Sequence, residues 1–243
     1  MTTDTTFWIA SCTKLITTVA ALQCVEKGIL QLDDPVYKVL PEWKTPEILT
    51  GFDDLSEPQL KLATKKITLR QLLTHSSGMG YDFLSPDLAS WRQWKGQSLG
   101  ASEEPIVSLV LYLICHAWKH SDRWMQIKRL ALPLLYEPGD GWMYSVAIDW
   151  VGVMVERVNG GVQLGEYMKQ HIFDPLGMTL TGFRLAENEH IRDRLCETAQ
   201  RTPAGKLSMA NPYNALSPAD DLGGGGLYSS VADYMKVLIS LLK

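Results

Sequence analysis

The chain has 243 residues, 46% of them hydrophobic and 21% charged, and a net charge of −4 at pH 7. Those proportions describe one large globular domain or two small ones, long enough to bury a core without disulfide or metal staples. They exclude a disordered tail, a fibre and a disulfide miniprotein, and the acidic balance leaves no basic footprint for nucleic acid. Cys12, Cys24, Cys115 and Cys196 are scattered with no C-x-x-C pair, which argues against zinc and against a secreted disulfide framework. No basic, apolar leader follows Met1, and the longest apolar run, residues 109–115, is too short for a bilayer. The expectation is a reduced, cytoplasmic protein with no membrane contact.

The first predicted element is a helix from Ser11, with Leu15, Ile16, Val19, Ala20, Leu22 and Cys24 at helical spacing and Lys27-Gly28 as its stop. Residues 36–40 read as a further helical turn before Pro41, and residues 41–66, rich in Pro, Asp and Lys, read as loop. Residues 68–75 read as a short helix capped by Thr68. Residues 81–105 read as a polar, aromatic-containing surface segment, and Pro138-Gly139-Asp140-Gly141 as a turn. Helices follow over 147–158, closed by Asn159-Gly160-Gly161, and over 164–173, closed by Asp174-Pro175. Residues 179–185 and 194–209 have strand character, the latter with a hairpin turn at Pro203-Ala204-Gly205, and 231–242 form a last amphipathic helix. Arg157 and Arg184 are expected on solvated faces.

Ser11-Cys12-Thr13-Lys14 is an S-x-x-K at a helix start, which puts Ser11 and Lys14 on one face about one turn apart. The helix N-terminus favours a developing anion. Desolvation lets a lysine accept a neighbouring hydroxyl proton, so the four residues can be an activated nucleophile and its base. The motif alone is weak, and a second copy at Ser240–Lys243 has no site around it. Tyr144-Ser145 follows a Pro-Gly turn and leads into a helix. Its phenol either relays a proton in a cleft or packs in the core beneath a helix N-cap at Ser145.

In its ordered motifs the sequence resembles the serine β-lactamase/penicillin-binding-protein superfamily, in the branch of class C β-lactamases and esterases. The resemblance rests on Phe-Trp-Ile-Ala-Ser-Cys-Thr-Lys over residues 7–14, Gly-Ile-Leu-Gln-Leu-Asp-Asp-Pro over 28–35 and Ile-Thr-Leu-Arg-Gln-Leu-Leu-Thr-His-Ser-Ser-Gly over 67–78. It continues with Tyr-Glu-Pro-Gly at 136–139, Trp-Met-Tyr-Ser at 142–145, Pro-Leu-Gly-Met at 175–178 and Gly-Gly-Gly-Gly-Leu-Tyr-Ser at 223–229. With Ile148-Asp149-Trp150 after the tyrosine, it looks most like the fungal polyketide-pathway acyltransferases (transesterases), the group that includes the lovastatin side-chain acyltransferase. The resemblance implies an α+β, β-lactamase/transpeptidase-like fold, an antiparallel sheet flanked by helices plus a helical subdomain. It also implies Ser11 as the acylated nucleophile, Lys14 as base and Tyr144 as second base or acid. The partners implied are an acyl thioester donor, of acyl-carrier-protein or CoA type, and a small-molecule alcohol acceptor. No cofactor and no metal are implied. Simple esterases share the three residues, and an inactive truncated relative is a further alternative.

Several positions depart from the family pattern. Val146 stands where class C β-lactamases carry the Asn of Tyr-x-Asn, which argues against β-lactam recognition and leaves ester or thioester chemistry open. Ten residues precede Ser11, and the family's third motif would lie beyond Lys243, with an oxyanion donor worth roughly 2.7–4 kcal/mol of barrier. The expectation is therefore a single incomplete domain over 1–243, lacking terminal sheet strands and mostly helical. Residues 107–126, without Gly or Pro, form an atypical insertion, read as a translated unspliced intron of twenty in-frame codons. His116 and His120 within it sit at i, i+4 but lack the Glu of the zinc-protease motif and a third ligand. His75 is read as structural support for the cleft, and the Gly223–Gly226 run as close backbone packing or a flexible turn.

Overall fold

A computed structural model describes residues 1–99, 129–210 and 218–242. The proposed insertion at 107–126, with Cys115, His116 and His120, and Lys243 of the second S-x-x-K lie outside the described residues.

Two buried helices form the centre. Helix α1 (Thr13–Glu26) buries Ile16, Ala20, Ala21 and Cys24, one stripe at helical spacing, and ends where Gly28 takes the left-handed conformation at φ +71°. Helix α2 (Leu69–Leu73) starts at Thr68 with a capping box, Thr68 Oγ accepting the Gln71 N–H and the Gln71 side chain returning the bond. The ten residues from Ala147 through Glu156 of helix α4 (Ala147–Val158) are all buried, so this helix is apolar nearly all round and runs through the core. Packing against α4 are α1, α2 and α5 (Leu164–Met168). Gly152 makes the last contact possible, because a Cβ there would sit 2.8 Å from Leu164 Cδ2. Trp150 of α4 meets Trp43 edge to face, with ring centroids 5.4 Å apart. After the short helix α7 (Glu189–Arg192), helix α8 (Val231–Ser240) closes the described chain, its cap Ser230 Oγ accepting the Asp233 N–H.

The sheets are small and antiparallel. Strand β1 (Thr6–Trp8) pairs with β6 (Tyr228–Ser230), Phe7 opposite Ser229. Strands β4 (Ala199–Arg201) and β5 (Leu207–Met209) form the expected hairpin around Gly205. The chain between 41 and 66 is not loop as expected. It holds a tight turn at Pro41–Trp43 and the hairpin β2 (Glu47–Phe52) with β3 (Pro58–Leu62). Its strands are hidden from the sequence by Gly51 and Pro58, by the solvent-facing side of β3, and by pairing of Glu47 and Leu49 with Leu134, a contact no local pattern encodes. No strand forms over 179–185; Gly182 makes a single bridge to Tyr228. The helix expected over 164–173 widens into a π turn at Lys169–Phe173 and runs on through α6 (Asp174–Leu176) to Gly177 at φ +64°.

Charge pairing explains the other departures. The segment after α2 is not a surface segment throughout. Asp82 and Arg92 are buried and joined at 2.8 Å, and Arg92 lies on helix α3 (Pro86–Trp94). Arg157 and Arg184 are not simply solvated either. Arg157 grips Glu42 through two bonds and donates to the Val39 carbonyl, and Arg184 binds Asp221 and the Pro218 and Ala219 carbonyls. Hydropathy cannot see a charge that an opposite charge makes buriable. Trp150→Ala is expected to cost about 3–5 kcal/mol in urea unfolding, the range for emptying a large core site. Leu22→Ala, at a residue 43% exposed, should change it by less than about 0.5 kcal/mol.

Candidate active site

The site begins where β1 hands the chain to α1. Pairing with β6 continues through Ile9, whose N–H donates to the Leu227 carbonyl, and the chain then tightens into a 3₁₀ turn over Ala10–Cys12. Ala10 holds φ +43°, a conformation that costs a non-glycine residue about 1–3 kcal/mol. Buried Thr13 secures the turn: its hydroxyl donates to the Ala10 carbonyl at 2.6 Å and accepts the Leu227 N–H at 3.1 Å. Ser11 is left exposed at the head of α1, and Lys14 stands one turn further on the same face.

The three residues singled out in the sequence meet. Tyr144 Oη donates to Ser11 Oγ at 2.6 Å, and Lys14 Nζ donates to Ser11 Oγ at 3.2 Å. Lys14 Nζ also reaches Tyr81 Oη at 3.2 Å and the Gly224 carbonyl at 2.5 Å, and it lies 4.7 Å from the Tyr144 ring centroid. Tyr144 comes off the turn that precedes α4. Val146, not Ser145, occupies the cap position of that helix, though Ser145 Oγ accepts the Ala147 N–H at 3.3 Å. Val146 itself is buried.

His75 supports this arrangement from beneath. Its Nδ1 accepts the Ser145 N–H at 3.3 Å and lies 3.1 Å from Ser145 Oγ. An accepting Nδ1 assigns the proton of the neutral ring to Nε2. Burial, helped by the Lys14 cation, pushes the His75 pKa down to about 4. The ring therefore stays neutral 4.8 Å from the Tyr144 ring.

Three participants were not foreseen. Tyr81, from the supposed surface segment, accepts a bond from Lys14 and stacks on Phe83 at 4.8 Å; burial first, then Asp149, holds its hydroxyl far above the usual phenol range. Asp149, in the first turn of α4, is 4% exposed and accepts the Gly224 N–H at 2.8 Å. Its pKa is raised to about 6 by burial, against the lowering pull of that bond and of Lys14. Gly224 belongs to the glycine run, which packs closely: a Cβ on Gly223 would lie 2.9 Å from the Ile148 carbonyl, and one on Gly224 would collide with the Asp149 carboxylate. An acidic residue inside an apolar helix was the one available signal for Asp149. Around the cluster, Phe83 and Trp142 are largely exposed and form an apolar rim. A separate 520 Å³ cavity, lined by Gln163, Lys169, Phe183, Arg184 and His190 among others, shares no residue with the cluster. Among the described residues no cluster of three or more His, Cys, Asp or Glu could hold a metal ion.

The chain as a whole has counterparts among known proteins. The profile of the Beta-lactamase family matches residues 1–243. The chain belongs to the Beta-lactamase family. This β-lactamase-family chain is 38% identical to a lovastatin esterase of Penicillium rubens, over 98% of its own length and 55% of that protein's. It is 37% identical to a monacolin J acid methylbutanoyltransferase of Aspergillus terreus, over 99% of its length and 53% of the other's. A solved simvastatin synthase of Aspergillus terreus superposes with a TM-score of 0.80 at 36% identity, covering all of this chain and 54% of that one. The fold is thus the β-lactamase/transpeptidase fold, and the chain spans about half the length of the curated relatives it matches. Among the described residues no helix is long and apolar enough to cross a membrane.

The depressed His75 gives a titration with a defined sign. Between the ordinary histidine value near 6.5 and about 4, the unfolded chain takes up a proton that the folded ring refuses. His75 therefore adds stability above that window, and the contribution is lost as pH falls through it. By NMR its ring is expected to titrate near 4, and Lys14→Met, which removes the neighbouring cation, should move the midpoint upward.

Proposed function

We propose that this chain carries the centre of a serine-dependent acyl transfer, taking an acyl group from a thioester onto Ser11 and passing it to an alcohol of a small secondary metabolite. The observation that supports this most is the pair of hydrogen bonds on Ser11 Oγ from Tyr144 and Lys14, at a helix N-terminus where negative charge is favoured. In the first half-reaction Ser11 Oγ attacks the thioester carbonyl and its proton goes to Lys14 in the amine form. The tetrahedral adduct collapses, the carbon–sulfur bond breaks, and Tyr144 protonates the departing sulfur. In the second half the acceptor hydroxyl gives its proton to the Tyr144 phenolate and attacks the acyl ester. The Ser11–acyl bond breaks, and Lys14 returns the proton to Ser11. No cofactor takes part.

The likeness to the methylbutanoyltransferase supports an alcohol acceptor of the monacolin J kind, and the apolar rim of Phe83 and Trp142 suits such a molecule. The likeness to the lovastatin esterase supports a second reading in which water takes the acyl group. The two readings differ in how well the acyl ester is kept from water.

Intact mass after exposure to a short acyl thioester should show one acyl adduct on the wild-type chain and none on Ser11→Ala. Lys14→Met and Tyr144→Phe should slow adduct formation by about 10²–10⁴-fold. An adduct that persists in Ser11→Ala would sink the assignment. Partition of the acyl group between an added alcohol and water then separates transferase from esterase.

A further inference from the structure

We infer that Asp149 is a positioning residue for Lys14: its buried carboxylate holds the Gly224 N–H, and the carbonyl of the same residue aims the lysine amine at Ser11. The inference rests on the proposed role of Lys14 as base. Its starting point is the two-sided use of one residue, since Asp149 Oδ1 accepts the Gly224 N–H at 2.8 Å and the Gly224 carbonyl accepts from Lys14 Nζ at 2.5 Å.

The valence of the amine makes that carbonyl directional. A carbonyl can only accept, so one N–H of Lys14 is committed to Gly224 in either protonation state. The ammonium has three N–H bonds, and three acceptors surround it: Gly224 O, Tyr81 Oη and Ser11 Oγ. In the amine, one N–H stays with Gly224, and with the second on Tyr81 Oη, the direction the geometry gives, the lone pair faces Ser11 Oγ. A base whose lone pair already points at the hydroxyl needs no reorientation before proton transfer. If the Gly224 peptide turned, that direction would be lost.

The glycine run alone does not hold that carbonyl in place. Glycine has the widest backbone freedom. Two side chains grip the peptide that joins Gly223 to Gly224, Thr17 donating to its carbonyl at 2.8 Å and Asp149 accepting its N–H, and the next peptide, which carries the Gly224 carbonyl, is tied by the Gly225 N–H to the Leu222 carbonyl at 3.2 Å. Gly224 must lack a Cβ because the carboxylate lies against it. Asp149 itself cannot swing away, being 4% exposed in the first turn of buried α4. The titratable groups coupled to it are Lys14 on α1 and Tyr81 before α3.

Two measurements on the full chain test this. In the first, pre-steady-state acylation of Ser11 by the thioester is compared for wild type, Asp149→Ala and Asp149→Asn. Asp149→Ala should acylate at least about tenfold more slowly, with KM within about twofold, because orientation and not binding is lost. Asp149→Asn keeps an oxygen that accepts the Gly224 N–H and should recover most of the rate. A folded Asp149→Ala that acylates at the wild-type rate overturns the inference, and so does an Asn variant no better than Ala. The second measurement needs no turnover. The Gly224 amide resonance of ¹⁵N-glycine-labelled protein should shift with pH with a midpoint near 6 as Asp149 titrates, and Lys14→Met should raise that midpoint. A Gly224 amide that does not titrate, or a midpoint indifferent to Lys14, overturns the inference even if Asp149→Ala fails to fold. Should the wild type form no adduct, the functional reading fails, while the amide titration still decides whether Gly224 reports the Asp149 charge and whether Lys14 is coupled to it.

Discussion

Everything at this site depends on where one ammonium group is held. Lys14 Nζ takes its partners from three segments: the turn that leads into its own helix at Ser11, the stretch before α3 at Tyr81, and the glycine run at Gly224. The first is three residues away, the second 67 and the third 210. A cation that is partly withdrawn from water must be surrounded by acceptors, so the fold has to bring these segments together. The β1–β6 pair does it from one side, carrying Leu227 onto the Ser11 turn. From the other side it is done by α4, which sets Asp149 under Gly224.

Close approach is the second requirement, and it is met by leaving atoms out. Gly223 and Gly224 lie against the Ile148 carbonyl and the Asp149 carboxylate at distances that admit no side chain. Gly152 leaves room for the Leu164 side chain where α5 packs against α4. These glycines weaken the local backbone, and the hydrogen bonds from Thr17 and to Asp149 offset that freedom. The buried carboxylate is thus accommodated by a backbone N–H and by the charge of Lys14 two bonds away.

The aromatic groups complete the surroundings. Tyr144 is flanked by His75 and Tyr81, with ring centroids at 4.8 and 5.6 Å. Because His75 is held neutral, it fixes Ser145 and the start of α4 without adding a second positive charge beside Lys14.

Helices α1, α2, α4 and α8 could be read from the chain because their information is local: apolar spacing near 3.6, a Thr or Ser cap, a glycine stop. The nearness of Ser11 and Lys14 was readable for the same reason, since a helix turn guarantees it. Tyr144 was found through its motif and not through any local pattern. The β2–β3 hairpin was missed because Leu134 stabilises it from far along the chain, and the Asp82–Arg92 pair because each charge is buriable only with the other. Tyr81, Asp149 and Gly224 were missed as partners of Lys14 on the same ground. A hydrogen bond to a backbone carbonyl 210 residues away carries no residue identity for a sequence to display. What the amino-acid order alone determined is that residue types suited to the proposed acyl transfer are present and that two of them lie three positions apart at a helix start. Only the tertiary structure decided which way the lysine points, because that direction is set by peptide groups and buried charges brought together by packing.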